Sequence, residues 1–366
     1  MKHHPDYSWR LRLYDFWQRL SKWEQWKPYG FYGPIALVWF WYCIRSRSFW
    51  FFTSSNPGLE FGGFEGETKS EMYNLLPPGS YPKTIYIAPE ITIEEVFEKM
   101  QAAGFEYPFI VKPDIGMKGY MFRKIKNAAQ LKKYHAASPA TYLIQDLADY
   151  PLEISIFYIR YPGQTKGKIT AMTGRDPLHV IGDGKSTLRE LMIAHPFARK
   201  HLYELYERHE PNLKMVIPDG ERFQLSDAGN RNQGARIISY SAHITDTLER
   251  LLDDYSLHKD QFYWGRYDIK TASLEDIKQG KNFTVLEFNG AGAGPNHIYH
   301  CGNSLLQAYK IVLYHWKALY EISRYNNAHG TPYWSFMRGW KHLQRSKAHF
   351  KIMNACEHSL NLDQES

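Results

Sequence analysis

Cysteine is scarce in this chain. Cys43, Cys301 and Cys356 are spread along 366 residues with no CxxC spacing. That pattern excludes a disulfide framework and a cysteine-rich zinc site, and it fits a reducing compartment. Long apolar runs are lacking too. The uncharged stretch at 31–44 has fourteen residues, against the roughly 18–20 that a membrane-spanning helix needs. Extending it to Phe52 buries Arg45 and Arg47, at about 2.5–3.5 kcal/mol each. The small-residue cleavage site of a signal peptide is also missing. Surplus positive charge is absent from the middle of the chain. Of the net +7, residues 1–60 carry +4 and 324–366 carry +3, so the 263 residues between them are neutral. A nucleic-acid enzyme concentrates its excess charge around its groove, so nucleic acid is not expected as a partner.

What is present, 43% hydrophobic and 23% charged residues, suffices for one large globular domain or two ordinary ones. The N-terminal segment stands apart. In "SWRLRLYDFWQRLSKWEQW" (8–26), Trp9, Leu13, Phe16, Trp17, Leu20 and Trp23 share one face at helical spacing, with Arg12, Arg19 and Lys22 largely off it. Tryptophan favours the headgroup level and Lys/Arg attract anionic lipid. The segment therefore reads as an interfacial anchor, which makes the protein cytoplasmic and peripheral on the inner face of a membrane. The same pattern suits an aromatic helical pair packed on the rest of the chain or on a second subunit of a homodimer.

Chemistry is concentrated elsewhere. "VIGDGKSTL" (180–188) has the Gly-Lys-Ser of a nucleotide P-loop, but His179 stands where its first glycine belongs, so that reading fails. In "YPFIVKPDIGMKGYMF" (107–122) a strand ends on Lys112 and passes directly into a glycine-bearing loop. Glycine lets backbone N–H groups approach phosphate oxygens without a Cβ in the way. Upstream, "ETKSEMYNLLPPGSYPKT" (67–84) offers Lys69, with Lys83 as its competitor. "YLIQDLADYPLEISIFYI" (142–159) reads as strand, polar hinge and strand. "YWGRYDIK" (263–270) and "FTVLEFNGAGAGP" (283–295) read as strands with projecting acids, and the glycines of "NGAGAGP" after the second read as room for a substrate to approach the backbone. Glu287 and Asn289, two apart, share a strand face, and Asp268 on a neighbouring strand completes an oxygen-rich site suited to Mg²⁺.

Taken in this order over 61–323, these motifs resemble the ATP-grasp superfamily, of the D-alanine–D-alanine ligase and cyanophycin synthetase type. The resemblance implies an α+β fold in which two subdomains enclose ATP. It implies Lys69 and Lys112 on the phosphates, Gly116 and Gly119 in a loop closing over them, Gln145, Asp146 and Leu147 at the adenine edge, and Glu153 on the ribose. It implies two Mg²⁺ ions, with Mn²⁺ as a substitute, held by Asp268, Glu287 and Asn289. "TGRDPLHVIGDGKSTLREL" (173–191) and "GERFQLSDAGNRNQGA" (220–235) are similar to further segments of these enzymes. They bring Arg175 and Lys185 near phosphate and Arg231 to the acceptor side, although Gly-Asp-Gly equally suits a plain turn before a helix capped by Ser186 or Thr187. Arg175, Arg231 and Arg266 are the candidates to stabilise transferring phosphate. The activity implied is ATP-dependent joining of a small carboxylate to an amine through an acyl phosphate, with either substrate open to being lipid-linked. The alternative is a nucleotide-binding scaffold without turnover. The organisation expected is an anchor over 1–60, the ATP-grasp region over 61–323 and a basic, partly helical tail over 324–366. The substrate-binding domain that precedes the region in many such ligases has no counterpart in the first sixty residues.

Overall fold

The computed structural model describes residues 4–116, 119–226 and 234–360. It divides into two units, each with its own core. The smaller comprises the chain up to Leu37, Thr173–Tyr240 and Asn296–Ile311, and the larger comprises Val38–Met172, Ser241–Pro295 and the chain from Val312 on. The strands are β1 Thr84–Ile87, β2 Phe109–Pro113, β3 Arg123–Ile125, β4 Tyr142–Asp146, β5 Leu152–Ile159, β6 Lys168–Asp176, β7 His179–Ile181, β8 Arg222–Gln224, β9 Arg236–Ser239, β10 Trp264–Thr271 and β11 Phe283–Asn289. The chain thus adopts the α+β class that its sequence pattern implies.

In the larger unit, β1-β4-β2-β3 form one antiparallel sheet. Helices Ile93–Ala102 and Ala128–Ala137 pack on it and bury Val96, Met100, Leu131 and Tyr134 against Phe109, Val111 and Ile144. Both begin where the sequence supplies a cap: Thr92 with Glu95 in a reciprocal box, and Asn127 accepting from the Gln130 amide. The second sheet runs β11-β10-β5-β6. Its core joins Phe157, Ile159 and Trp264 to Trp50, Phe51, Phe52 and Phe61 and to the helix Leu305–Ala328 through Ala318, Leu319 and Ile322.

The expected basic tail folds as the helix Phe336–Ser359, opened by Ser335 accepting from the Arg338 amide. His342, Ser346, Phe350 and Met353 are all buried. Their spacing of four, four and three residues makes one helical stripe.

The larger unit runs through both 60 and 323, the boundaries drawn from the sequence, and the smaller unit is gathered from three separate segments. Excursions 173–240 and 296–311 fold back on the N-terminal segment and share a core with it. Tyr7 and Leu11 pack with Leu178, Val180, Leu188, Met192 and Leu205. Here β9 pairs with the second half of β6, and β7 pairs with β8. Trp23 stacks on Phe31 at 5.2 Å and on Tyr299 at 5.7 Å. It has left the apolar stripe because the helix Trp9–Ser21 ends before it. The other five stripe residues, Trp9, Leu13, Phe16, Trp17 and Leu20, remain exposed.

A buried ion pair secures this unit. Arg199 grips both oxygens of Asp15, with Nε at 2.8 Å from Oδ2, and Tyr7 donates to the same Oδ2 at 2.6 Å. Removing the acid leaves a buried guanidinium unpaired. Asp15→Ala should therefore cost about 3–5 kcal/mol of stability by denaturant unfolding; a loss below about 1 kcal/mol would show that the pair is dispensable.

Candidate functional site

The site lies in the larger unit and is assembled from four strands, one helix and one loop. β10 pairs with β5 on one side and β11 on the other. The register sets Asp268 opposite Ser155 and Glu287, Arg266 opposite Phe157 and Asn289, and Lys270 opposite Glu153. Because paired residues share a face and the strand period is two, Glu153, Ser155, Arg266, Asp268, Glu287 and Asn289 project together.

Asp268 is saturated. Arg266 binds it through Nε and a terminal nitrogen at 2.9 and 2.8 Å, Ser155 donates to it at 2.5 Å and Asn289 Nδ2 donates at 3.1 Å. Glu287 faces Lys69, with 4.0 Å between Nζ and Oε1. The two acids, which would repel if left alone, therefore each have a cationic neighbour without a metal.

Lys69 is placed by the start of the helix Lys69–Asn74. Thr68 caps it by accepting from the Glu71 amide. Asp114, just past β2, accepts from the Ser70 amide and hydroxyl at 2.9 Å each, and its carbonyl takes the Lys69 amide at 3.1 Å. This ties the helix to the strand that carries Lys112. Four residues beyond Lys69, on the same helix face, the Tyr73 hydroxyl donates to the Leu286 carbonyl at 2.8 Å. It receives Gln145 Nε2 at 2.8 Å and Lys112 Nζ at 3.4 Å.

Two adjoining cavities open here. One, about 240 Å³, is lined by Glu67, Lys69, Gly116, Glu287, Asn289 and Gly292 among others. The other, about 220 Å³, is lined by Lys69, Lys112, Gly116, Gly119, Tyr120 and Glu287 among others. A Cβ on Gly116 would come within 3.2 Å of the Lys69 ammonium, and Gly119 has φ +78°. Both positions suit glycine because of where the loop runs. The C-terminal helix holds the loop from either side. His349 Nε2 lies 2.8 Å from the Ile115 carbonyl, Glu357 accepts from the Met121 amide at 2.6 Å, and both terminal nitrogens of Arg123 pair with Glu357.

The electrostatics of the cavities are unusual. Burial, with the Lys69 charge adding and Glu287 opposing, pushes Lys112 down to about 7. Burial also holds the Glu67 carboxyl above the usual carboxylate range, the Glu287 charge adding to it, and Glu67 Oε2 has no hydrogen-bond partner among the described residues. The cavities thus present a buried lysine without a bound carboxylate and a buried carboxylate oxygen without a donor.

The remaining sequence-predicted residues are placed as follows. Gln145 sits inside β4 between β1 and β2, and its side chain serves Tyr73 and Thr84. The Asp146 amide donates to the Lys83 carbonyl, and its carboxylate lies 3.7 Å from Lys83 Nζ. Lys83, the competitor to Lys69, also donates to Gly104 and is absent from the lining of both cavities. Leu147 follows the end of β4 in the hinge, and Glu153 adds negative potential at Arg266. Arg175, on β6 opposite Ile237, and Lys185 belong to the smaller unit. Lys185 lies in a turn where Asp183 accepts from the amides of 185 and 186, leading to a helix capped by Thr187; the plain-turn reading describes this stretch. Arg231 lies outside the described residues.

The glycines of "NGAGAGP" are a correction to their reading as room for substrate. A Cβ on Gly290 would strike the Gly62 carbonyl at 2.5 Å, and one on Gly292 the Phe64 carbonyl at 2.2 Å. They are small because the backbone of 62–64 packs there, with amides 291 and 292 donating to carbonyls 62 and 63. Sequence reasoning also missed Glu67, Tyr73, Asp114 and Ser155. Of these only Tyr73 had a local signal, its four-residue spacing from Lys69.

Among the described residues, no group of three or more His, Cys, Asp or Glu converges as for a metal. The donors that fit Mg²⁺ are the Glu287 carboxylate and the Asn289 carbonyl oxygen, left as an acceptor by the amide nitrogen's bond to Asp268. Asp268 itself is taken by Arg266.

No protein-family model matches this chain, and no curated protein matches it either. Solved structures similar to it include a bifunctional glutathione synthetase from Pasteurella multocida, at 14% identity and TM-score 0.44 over 67% of this chain and 35% of that one. Another is D-alanine–D-alanine ligase from Bacillus anthracis, at 13% identity and TM-score 0.41 over 72% and 69%. A third is VanG D-Ala:D-Ser ligase from Enterococcus faecalis, at 12% identity and TM-score 0.37 over 66% and 57%. All three are ATP-grasp enzymes. The matched region spans about a third of the first.

Lys112 gives the ligand-free protein a defined pH response. The unfolded lysine keeps its proton to about 10.5, whereas the folded one releases it near 7. Between those values the unfolded state binds more protons, so this group makes stability rise with pH. Lys112→Met should remove that rise, seen as a melting-temperature gap over wild type that is widest below pH 7 and narrows toward pH 10. A gap independent of pH would refute it.

Proposed function

We propose that this protein is an ATP-dependent carboxylate–amine ligase working at a membrane surface. The observation that carries the reading is Lys112, buried beside Lys69 in a glycine-walled cavity, where among the described residues its ammonium hydrogen-bonds only to a hydroxyl. A desolvated ammonium at that position suits an anion that arrives from outside, and a triphosphate offers charge for both lysines. Asn289 and Glu287, on the strand face beside them, would hold Mg²⁺ through their oxygens, and the ion would supply positive charge to offset the phosphates.

The chain's own groups act by position and charge. Lys69 and Lys112 offset the triphosphate. Arg266, fixed at both ends of its fork by Asp268, presents its remaining N–H groups across the face to the transferring phosphoryl group. A substrate carboxylate oxygen attacks the γ-phosphorus and ADP leaves, giving an acyl phosphate. An amine then adds to that carbonyl, loses a proton and expels inorganic phosphate, leaving an amide. No nucleophilic side chain is needed. Glu153 and the hinge at 147 are assigned to ribose and adenine on motif position.

Attachment to the membrane surface is supported by the five exposed residues of the helix Trp9–Ser21 together with Arg10, Arg12 and Arg19. No helix among the described residues is long and apolar enough to cross a membrane.

The test combines binding with trapping. Mg·ATP should raise the melting temperature of wild type, and Lys112→Met and Glu287→Gln should each weaken its binding at least tenfold. With hydroxylamine as a general amine and a panel of amino acids, peptides and fatty acids as carboxylates, ADP release should coincide with hydroxamate formation. Tight Mg·ATP binding with no ADP release across the panel would favour the scaffold reading instead.

A further inference from the structure

The larger unit carries an apolar cavity that the ligase site does not use. It measures about 660 Å³ and is lined by Phe40, Cys43, Arg47, Phe49, Trp334 and Phe336 among others. Pockets that hold small ligands run from about 300 to 1,000 Å³. The surface around it is strongly apolar. Phe40, Trp41 and Ile44 follow one another at helical spacing on the outer face of the helix Ala36–Ser46. Phe49 continues the patch, with Phe336, Met337 and Trp340 beyond it, and each of these seven is about half exposed or more. Ring contacts make the patch continuous: Phe40 to Phe49 at 6.5 Å, Phe49 to Phe336 at 6.1 Å and Phe336 to Trp340 at 6.3 Å. An exposed apolar patch this extended on a soluble face is a site of association.

Its charge selects the partner. Residues 36–59 hold two arginines, residues 322–356 hold six lysines or arginines, and neither stretch contains an Asp or Glu. Arg45 lies over the Trp41 ring at 5.7 Å and Arg338 over the Trp334 ring at 3.7 Å, which brings cations up against the aromatic surface. A second copy of the chain would bring the same positive charge face to face. An anionic bilayer brings the opposite charge, and aromatic side chains with Lys/Arg beside them suit its headgroup level.

We infer that this face docks on the anionic phospholipid of a bilayer, with one acyl chain entering the cavity and the lipid phosphate meeting Arg47. The inference rests on the membrane-surface part of the reading above and is independent of its chemistry. It assigns a second contact, separate from the helix Trp9–Ser21.

Full-length protein should sediment with vesicles of phosphatidylcholine plus phosphatidylglycerol and not with phosphatidylcholine alone. Ile44→Glu and Trp340→Glu should each weaken binding at least tenfold while leaving the melting temperature in place, since both side chains point outward. Arg47→Glu should remove the preference for phosphatidylglycerol. Where the phosphatidylglycerol carries bromine on its acyl chains, tryptophan fluorescence should be quenched, and Trp334→Phe should remove part of that quenching. Wild type that ignores every vesicle overturns both this inference and the membrane-surface reading. Wild type that binds, with Trp17→Glu abolishing binding and the two glutamate variants of this face leaving it intact, overturns only this one. A concentration-dependent dimer that Trp340→Glu breaks, with no vesicle binding, assigns the face to a second copy and overturns the lipid. Quenching unchanged in Trp334→Phe removes the chain from the cavity.

Discussion

Taking a lysine out of water with no carboxylate to meet it is a cost that the rest of this molecule is arranged to hold in place. Lys112 ends a central strand, so its backbone cannot retreat. Its neighbours are a phenol oxygen and a second ammonium, and the Glu287 charge offsets its burial only in part. What keeps this arrangement standing is Tyr73, whose single hydroxyl joins the helix of Lys69, the middle of β11 and the side chain of Gln145. Loss of that hydroxyl removes the common reference point for both lysines and for the strand of Glu287.

Around this point the strands divide the labour. β10 supplies a guanidinium and a carboxylate that neutralise one another, and β11 supplies oxygens that remain available. The consequence is a face with fixed charge of both signs and little freedom to reorganise, the condition under which electrostatic stabilisation is effective. Glu67 is the exception. Its Oε2, without a hydrogen-bond partner among the described residues, is buried in the lining of the cavity that Glu287 and Asn289 share.

The residues that were legible in the sequence are those whose role follows from a strand end or a two-residue spacing. Lys112 before its glycine loop, Glu287 with Asn289, and Lys69 on a short capped helix all reach the cavities as their local patterns imply. The N-terminal stripe was legible as a face, yet Trp23 turned inward because the helix ends before it. What could not be read depends on contacts between distant parts of the chain. His349 and Glu357 hold the glycine loop from 234 and 236 residues away. The glycines after Asn289 looked like room for a ligand because spacing shows that space is needed but not for what; here the neighbour is the backbone of 62–64. Asp268 has the strand position of a metal ligand, and what its spacing does not show is the fork of Arg266 two residues earlier, which holds both of its oxygens here.

The helix Phe336–Ser359 belongs to both ends of this account. Its first turn contributes Phe336, Met337 and Trp340 to the exposed aromatic face, and its last turns reach the amide of Met121 through Glu357. At 1.5 Å per residue, those points are about 32 Å apart on one continuous rod. His342, Ser346, Phe350 and Met353 bury that rod along its length. One element therefore fixes both the outer aromatic face and the backbone that flanks the glycine loop at Ile115 and Met121.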